Sequence, residues 1–230
     1  MRRAGSLATA FHEAGHAVTA IALGERVHAL AGGASAPARD AAGDTVGRAV
    51  LSLRPPARAE IEFLLQTGQR HVLERRLSRN LLVTMAGEYA EARAGRRSID
   101  AASARQAGDV RRLLEHDWAD PIQMLGFGDA GRLAYVLSVG GVGADAAACT
   151  LRTAFQALRA HMRAARVWTA IDAVAHALRR APAGELDGAA VHAVALPLLG
   201  DRIRPAEDPI FAWSVLTRGQ TPPGEGKRER

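Results

Sequence analysis

The sequence predicts a mainly α-helical fold carrying a small β-sheet of two or three short strands. Long runs free of proline are rich in alanine, the strongest helix former. Apolar stripes at helical spacing dominate the second half of the chain. Two short segments near the N-terminus alternate as strands do. Aromatic residues make up only 4% of the chain, so the core must rest on Ala, Leu and Val.

The elements follow in order. Ser6 is placed to cap a helix over 7–23, which Gly24 can stop. Segments 26–30 and 45–53 read as strands, separated by a Gly- and Ala-rich loop over 31–43. Pro55 and Pro56 close this β region. A helical pattern then runs over 58–94 with a break near Gly68, its face marked by Leu77, Leu81, Met85 and Tyr89. After a loop over 96–103, a helix passes through Asp109, Val110, Leu113 and Leu114. The stretch 117–143, with Pro121 and several glycines, reads as loop-rich. Two amphipathic helices follow, one carrying Leu151, Phe155, Leu158 and Met162, the other Val167, Ile171, Val174 and Leu178. Asp187 can cap a last short helix that Pro197 would end. A domain over 1–200 is expected, with a metal-site part at 1–118 and a helical-bundle part at 143–200. Residues 201–230 read as a loosely docked segment and then a disordered tail from about Gly219.

Composition narrows the function classes. The net charge is +6, almost all of it arginine, because Lys227 is the only lysine. The arginines are spread along helical segments close to Asp or Glu, which reads as solvated helix faces rather than a nucleic-acid surface. An arginine-rich nucleic-acid binder with structural zinc has no recognised motif or interleaved aromatics to support it. Cys149 is the only cysteine, so a thiolate metal cluster and an internal disulfide are both excluded. No stretch reaches 18 uncharged apolar residues, and the N-terminal segment does not read as a secretory leader. The expectation is a soluble, cytoplasmic chain with no membrane span and no nucleic-acid partner.

The segment HEAGH carries the chemistry. His12 and His16 are four residues apart, which on a helix sets both imidazoles on one face. Two such nitrogens can reach one Zn²⁺ at about 2.0–2.1 Å. Glu13 lies beside the first ligand and can serve as a general base toward water. A catalytic site requires a third protein ligand, for which Asp109, Glu88, Glu91 and His116 are candidates that spacing alone does not separate. Gly15 inside the helix costs about 0.5–1 kcal/mol relative to alanine, which makes sense where another backbone approaches closely.

Several segments resemble, in order, those of FtsH-type zinc metallopeptidase domains. FHEAGHAVTAIALG resembles the metal-binding helix of that family, and GDTVGRAVLSL its exposed edge strand. VTMAGEYAEARAG resembles its Gly-Gly-x-x-Ala-Glu helix, AGDVRRLLEH the helix bearing its aspartate ligand, and ELDGAAVHAV its last helix start. Together these cover roughly residues 8 to 200. The chain departs from the pattern at Ala86, where the family has a glycine, and in lacking the Thr-Gly before the aspartate helix.

The resemblance implies a helical, zincin-like peptidase fold with its sheet beside the metal. It implies Zn²⁺ held by His12, His16 and Asp109, with Glu13 as general base and Glu91 orienting a ligand from behind. A polypeptide substrate would add along the edge strand at Val46, Gly47, Arg48, Ala49 and Val50. The family's ATPase module and membrane anchor are not found in these 230 residues, and no G-x-x-x-x-G-K-[ST] loop is present. The expected activity is therefore ATP-independent endopeptidase hydrolysis of flexible or unfolded polypeptides, or work beside a separate ATPase partner. Homo-oligomers are a further implication, since domains of this type form rings. The alternative reading is a non-catalytic zinc-binding module that docks to a partner, against which an intact Glu13 argues.

Overall fold

A computed structural model of the chain describes residues 7–32, 48–200 and 212–217. Helix α1 spans Leu7–Ala22 and is followed by strands β1, Val27–Ala31, and β2, Arg48–Leu51. Helices α2, Arg58–Gln66, and α3, Arg70–Ala94, come next, then α4, Ile99–Glu115. A 3₁₀ turn over Pro121–Phe127 leads into α5, Gly128–Val139. Helices α6, Ala144–Arg163, and α7, Ala165–Arg180, precede β3, Glu185–Asp187, and α8, Gly188–Leu199; α9, Trp213–Leu216, is short. The fold is mainly helical with one three-stranded antiparallel sheet, ordered β2-β1-β3. The expected Ser6 cap, most of the 31–43 loop, Thr45, Val46, Gly47 and the tail from Gly219 lie outside the described residues.

Helix α1 runs through the middle of the core. Phe11 and every residue from Glu13 to Ala22 are buried. Its small residues let α3 approach closely: a Cβ on Gly15 would stand 2.5 Å from the Ala86 carbonyl oxygen and 2.8 Å from Ala90 Cβ. That contact is the close backbone approach that a helical glycine permits. On its other sides α1 meets α7, α8 and the sheet. Leu77, Leu81, Met85 and Tyr89 of α3 are all buried in the same cluster as Leu151, Leu158, Ile171 and Val174 from α6 and α7. The two halves of the chain therefore share one apolar core.

Strand β1 is the middle strand, pairing Leu30 with Ala49 on one side and with Leu186 on the other. A bulge between Val27 and Ala29 shifts the β1–β2 register. β2 is an edge strand, with its only ladder among the described residues made to β1. Asp187 caps α8, its carboxylate accepting from the Ala190 N–H at 2.7 Å.

Three expectations change. The stretch 117–143 is not loop-rich: it holds the 3₁₀ turn and the three-turn helix α5. Its glycines mark the boundary rather than a loop. Gly128 takes a φ of 60° at the junction, a conformation strained for other residues. The Leu133, Val136 and Leu137 stripe buries α5. The loop over 96–103 is shorter than expected, because Ser98 caps α4, its Oγ accepting from the Ala101 N–H at 3.2 Å. Pro197 does not end α8, which continues to Leu199 and closes at Gly200 with a φ of 73°.

Several arginines pair with acids one turn away on their own helices, as in Arg58–Glu62, Arg70–Glu74 and Arg111–Glu115. Exposed pairs of this kind contribute little, because water and salt screen them. Among the described residues no single helix is long and apolar enough to cross a membrane.

Candidate metal centre

The α1 helix puts His12 and His16 one turn apart on the face turned toward α3 and α5. Their ring centroids are 4.7 Å apart and the rings are nearly perpendicular. Each ring is oriented from behind. His16 Nδ1 donates to the Val83 carbonyl at 2.7 Å, which leaves Nε2 facing outward. His12 Nδ1 donates to the Glu91 carboxylate at 3.0 Å. Backing of this sort fixes tautomer and ring orientation in metal-binding histidines. Glu91 in turn is tied to Arg97 at 2.6 Å.

The two Nε2 atoms converge on one carboxylate oxygen, which belongs to Asp129. Asp129 Oδ2 lies 3.0 Å from His12 Nε2 and 3.1 Å from His16 Nε2. Asp129 sits in the first turn of α5, where the helix dipole favours a carboxylate. The turn that precedes it is packed tightly, since a Cβ on Gly131 would run into the Met124 carbonyl. This packing fixes how α5 begins and so where Asp129 points.

Three ligand atoms on a tetrahedron about 2.0–2.2 Å from a metal stand roughly 3.3–3.6 Å from one another. The observed separations from Asp129 are within a few tenths of an ångström of that. His12, His16 and Asp129 form a group that could hold a metal ion. The floor beneath them is Gly87 of α3. A Cβ there would stand 2.4 Å from His16 Nε2 and 2.8 Å from His12 Nε2, so only glycine leaves room for both rings. The donor set is two imidazoles and one carboxylate without a thiolate, three ligand atoms in all.

The ionisable groups here shift one another's protonation. Burial opposes a charge on His12, but hydrogen bonds to Asp129 and Glu91 outweigh it and raise its pKa well above 6.5. Burial alone would raise the Asp129 pKa; His16 and His12 overcome this and hold the group well below the usual carboxylate range. The hydrogen bond from His12 is the largest influence lowering Glu91. Glu13 behaves differently. It is 4% exposed, and burial pushes its pKa up despite the nearby histidines.

These groups open on a cleft of about 360 Å³ lined by His12, Glu13, His16, Asp129, Arg132 and β2 residues including Ala49. Of the strand expected to receive substrate, Arg48, Ala49 and Val50 form part of β2 at the sheet edge, with Arg48 and Ala49 on the cleft wall.

The candidates for the third ligand fall in different places. Asp109, implied by the resemblance, does not join the histidines: it lies on α4, partly exposed and ion-paired with Arg112 one turn along. Asp109 faces an arginine on its own helix, whereas α5 enters the site from a segment whose glycines masked it. Glu88 and Glu91 form a second group with His12 that could hold a metal. Both of their carboxylates are already paired, with Arg105 and Arg97 respectively. His116 is exposed and packs its ring on Trp118. Asp129 was missed, and the one available signal was Leu133, Val136 and Leu137 at helical spacing four, seven and eight residues after it.

No family model, no curated protein and no solved structure matches this chain.

Proposed function

We propose that this chain is a zinc-dependent peptidase of the HExxH type, related to the FtsH-type peptidase domains it resembles. The observation that carries the reading is the convergence of His12 Nε2, His16 Nε2 and Asp129 Oδ2 beside the buried Glu13, in a cleft bordered by an edge strand. His12, His16 and Asp129 would hold zinc, and Glu91 would keep His12 turned toward it. Bound there, zinc would supply Lewis acidity, lowering the pKa of a water and polarising the peptide carbonyl.

The chain's own residues do the rest. An extended peptide adds along β2, with main-chain hydrogen bonds holding its register. Glu13 accepts a proton from the attacking water as the new C–O bond forms. It then delivers that proton to the amine as the C–N bond breaks. Its burial suits both halves of this task, since a raised pKa makes the carboxylate a better base and its acid form a ready donor.

The test is hydrolysis of an unstructured peptide mixture by zinc-loaded protein, read by mass spectrometry, with Glu13→Gln alongside. Loss of cleavage by about 10²–10⁴-fold at unchanged zinc content supports the reading. Equal cleavage by the variant, or none by the wild type, overturns it.

A further inference from the structure

The cleft contains a cation that the proposed chemistry does not use. Arg132 lies on α5, one turn after Asp129, and lines the same cleft as His12, Glu13 and His16. Its Nη2 is occupied, donating to the Leu53 carbonyl at 2.6 Å and to Asn80 Oδ1 at 3.0 Å. Its Nε is buried and makes no hydrogen bond. Among the described residues no carboxylate lies within 4.0 Å of its guanidinium. The acid that acts on it, Asp129, does so from farther away and is itself engaged by both histidines.

A cation set into a cleft wall with no directly paired acid among the described residues is disfavoured by desolvation. The ties to Leu53 and Asn80 do not explain that cost, because a neutral amide donor could make them. The charge balance points the same way. With a divalent cation bound, Asp129 and Glu13 would supply two negative charges, and Arg132 would leave the cleft positive by one. The exposed Arg48 on β2 adds to that sign at the rim.

We propose that Arg132 receives a carboxylate of the substrate, so that the site selects peptides bearing an anionic group close to the bond to be cut. With Nη2 committed to Leu53 and Asn80 and Nε buried, Nη1 is the nitrogen left to receive the carboxylate, as a charge-assisted hydrogen bond. That carboxylate can be the C-terminal main-chain group or an Asp or Glu side chain. Arg132 is then a specificity-determining residue, and this inference rests on the peptidase reading.

The experiment measures binding rather than turnover. Zinc-loaded Glu13→Gln protein is titrated into fluorescein-labelled pentapeptides, and anisotropy is recorded. One arm compares a free C-terminal carboxylate with its carboxamide. The other compares Glu with Gln at each internal position. A hydrogen-bonded charge pair corresponds to about a 10-fold or greater preference for the acid in one arm, and the arm that shows it identifies the source. Adding Arg132→Gln should reduce that preference to within about twofold, with zinc content and affinity for the neutral peptide unchanged. A merely structural role would weaken acid and neutral peptides alike. Equal affinity for acid and neutral peptides in both arms overturns the inference without any Arg132 variant. Hydrolysis by the Glu13-intact protein is read separately. Cleavage without acid preference removes the inference and keeps the peptidase reading, while absence of both binding and cleavage removes the two together.

Discussion

Replacing Gly87 by alanine should empty the metal site without touching a single ligand. The added Cβ would stand 2.4 Å from His16 Nε2, 2.5 Å from His16 Cε1 and 2.8 Å from His12 Nε2. Ordinary contact begins near 3.4 Å, so the His16 ring must retreat by about 1 Å. Metal–ligand distances tolerate only about 0.2 Å. His16 has little freedom to yield, because its Nδ1 is fixed on Val83 and the residue is 7% exposed. Zinc affinity should therefore fall by at least about 100-fold, at the upper end of what loss of a ligand's supporting partner does. Overpacking should cost about 1–3 kcal/mol, against the ~1 kcal/mol an alanine normally gains in a helix interior. The metal-free protein should accordingly lose only a few degrees in Tm, at about 2–4 °C per kcal/mol for a chain of this size. Gly108→Ala is the control, since a Cβ there meets nothing within 4 Å on α4. The assay is competition with a fluorescent zinc chelator, followed by thermal unfolding with and without zinc. Wild-type zinc affinity in Gly87→Ala would refute the reasoning, because the rings would then have room the structure denies them.

Two further outcomes follow from the same geometry. Glu91→Gln should lower zinc affinity about 10–100-fold while leaving the fold intact, as competition with the same chelator would show; an unchanged affinity would mean that Glu91 does not orient His12. In metal-free protein the His12 imidazolium is held by Asp129 and Glu91, so its folded pKa lies above 6.5. The stability this contributes is fully present below about pH 6.5 and is lost as pH rises through the raised value. Glu13, raised by burial, acts with the same sign in its own lower window, because its ionisation is disfavoured in the folded state. Zinc bound at His12 would have to displace that proton, so the gain in Tm on adding zinc should grow from about pH 6 to pH 8. A pH-independent gain would contradict this.

How much of this could be read in the sequence depended on whether the information was local. HEAGH announces itself because spacing of four residues within one helix fixes the relation of His12 to His16. The stripes of α3, α6 and α7 were legible for the same reason, as was the Asp187 cap. Helix α5 was not, because Gly126, Gly128 and Gly131 read as loop. Here one serves a positive φ and another lets the 3₁₀ turn press against the helix. The carboxylate that stands beside the histidines was hidden for a related reason. Asp109 sits in a segment resembling a known ligand helix, but whether an acid reaches the histidines depends on how distant elements pack. Only tertiary contact separates Asp129 from the acids that pair with arginines on the surface. The role of Gly87 was equally hidden, since a glycine in α3 reads as a propensity cost until two imidazoles are seen above it.

The central claim is that His12, His16 and Asp129 together hold the metal. The most direct test is zinc content per chain, by elemental mass spectrometry, of the wild type, Asp129→Ala and Asp109→Ala purified side by side. The account predicts about one zinc per chain in the wild type and in Asp109→Ala, and almost none in Asp129→Ala. Zinc retained in Asp129→Ala and lost in Asp109→Ala would contradict it.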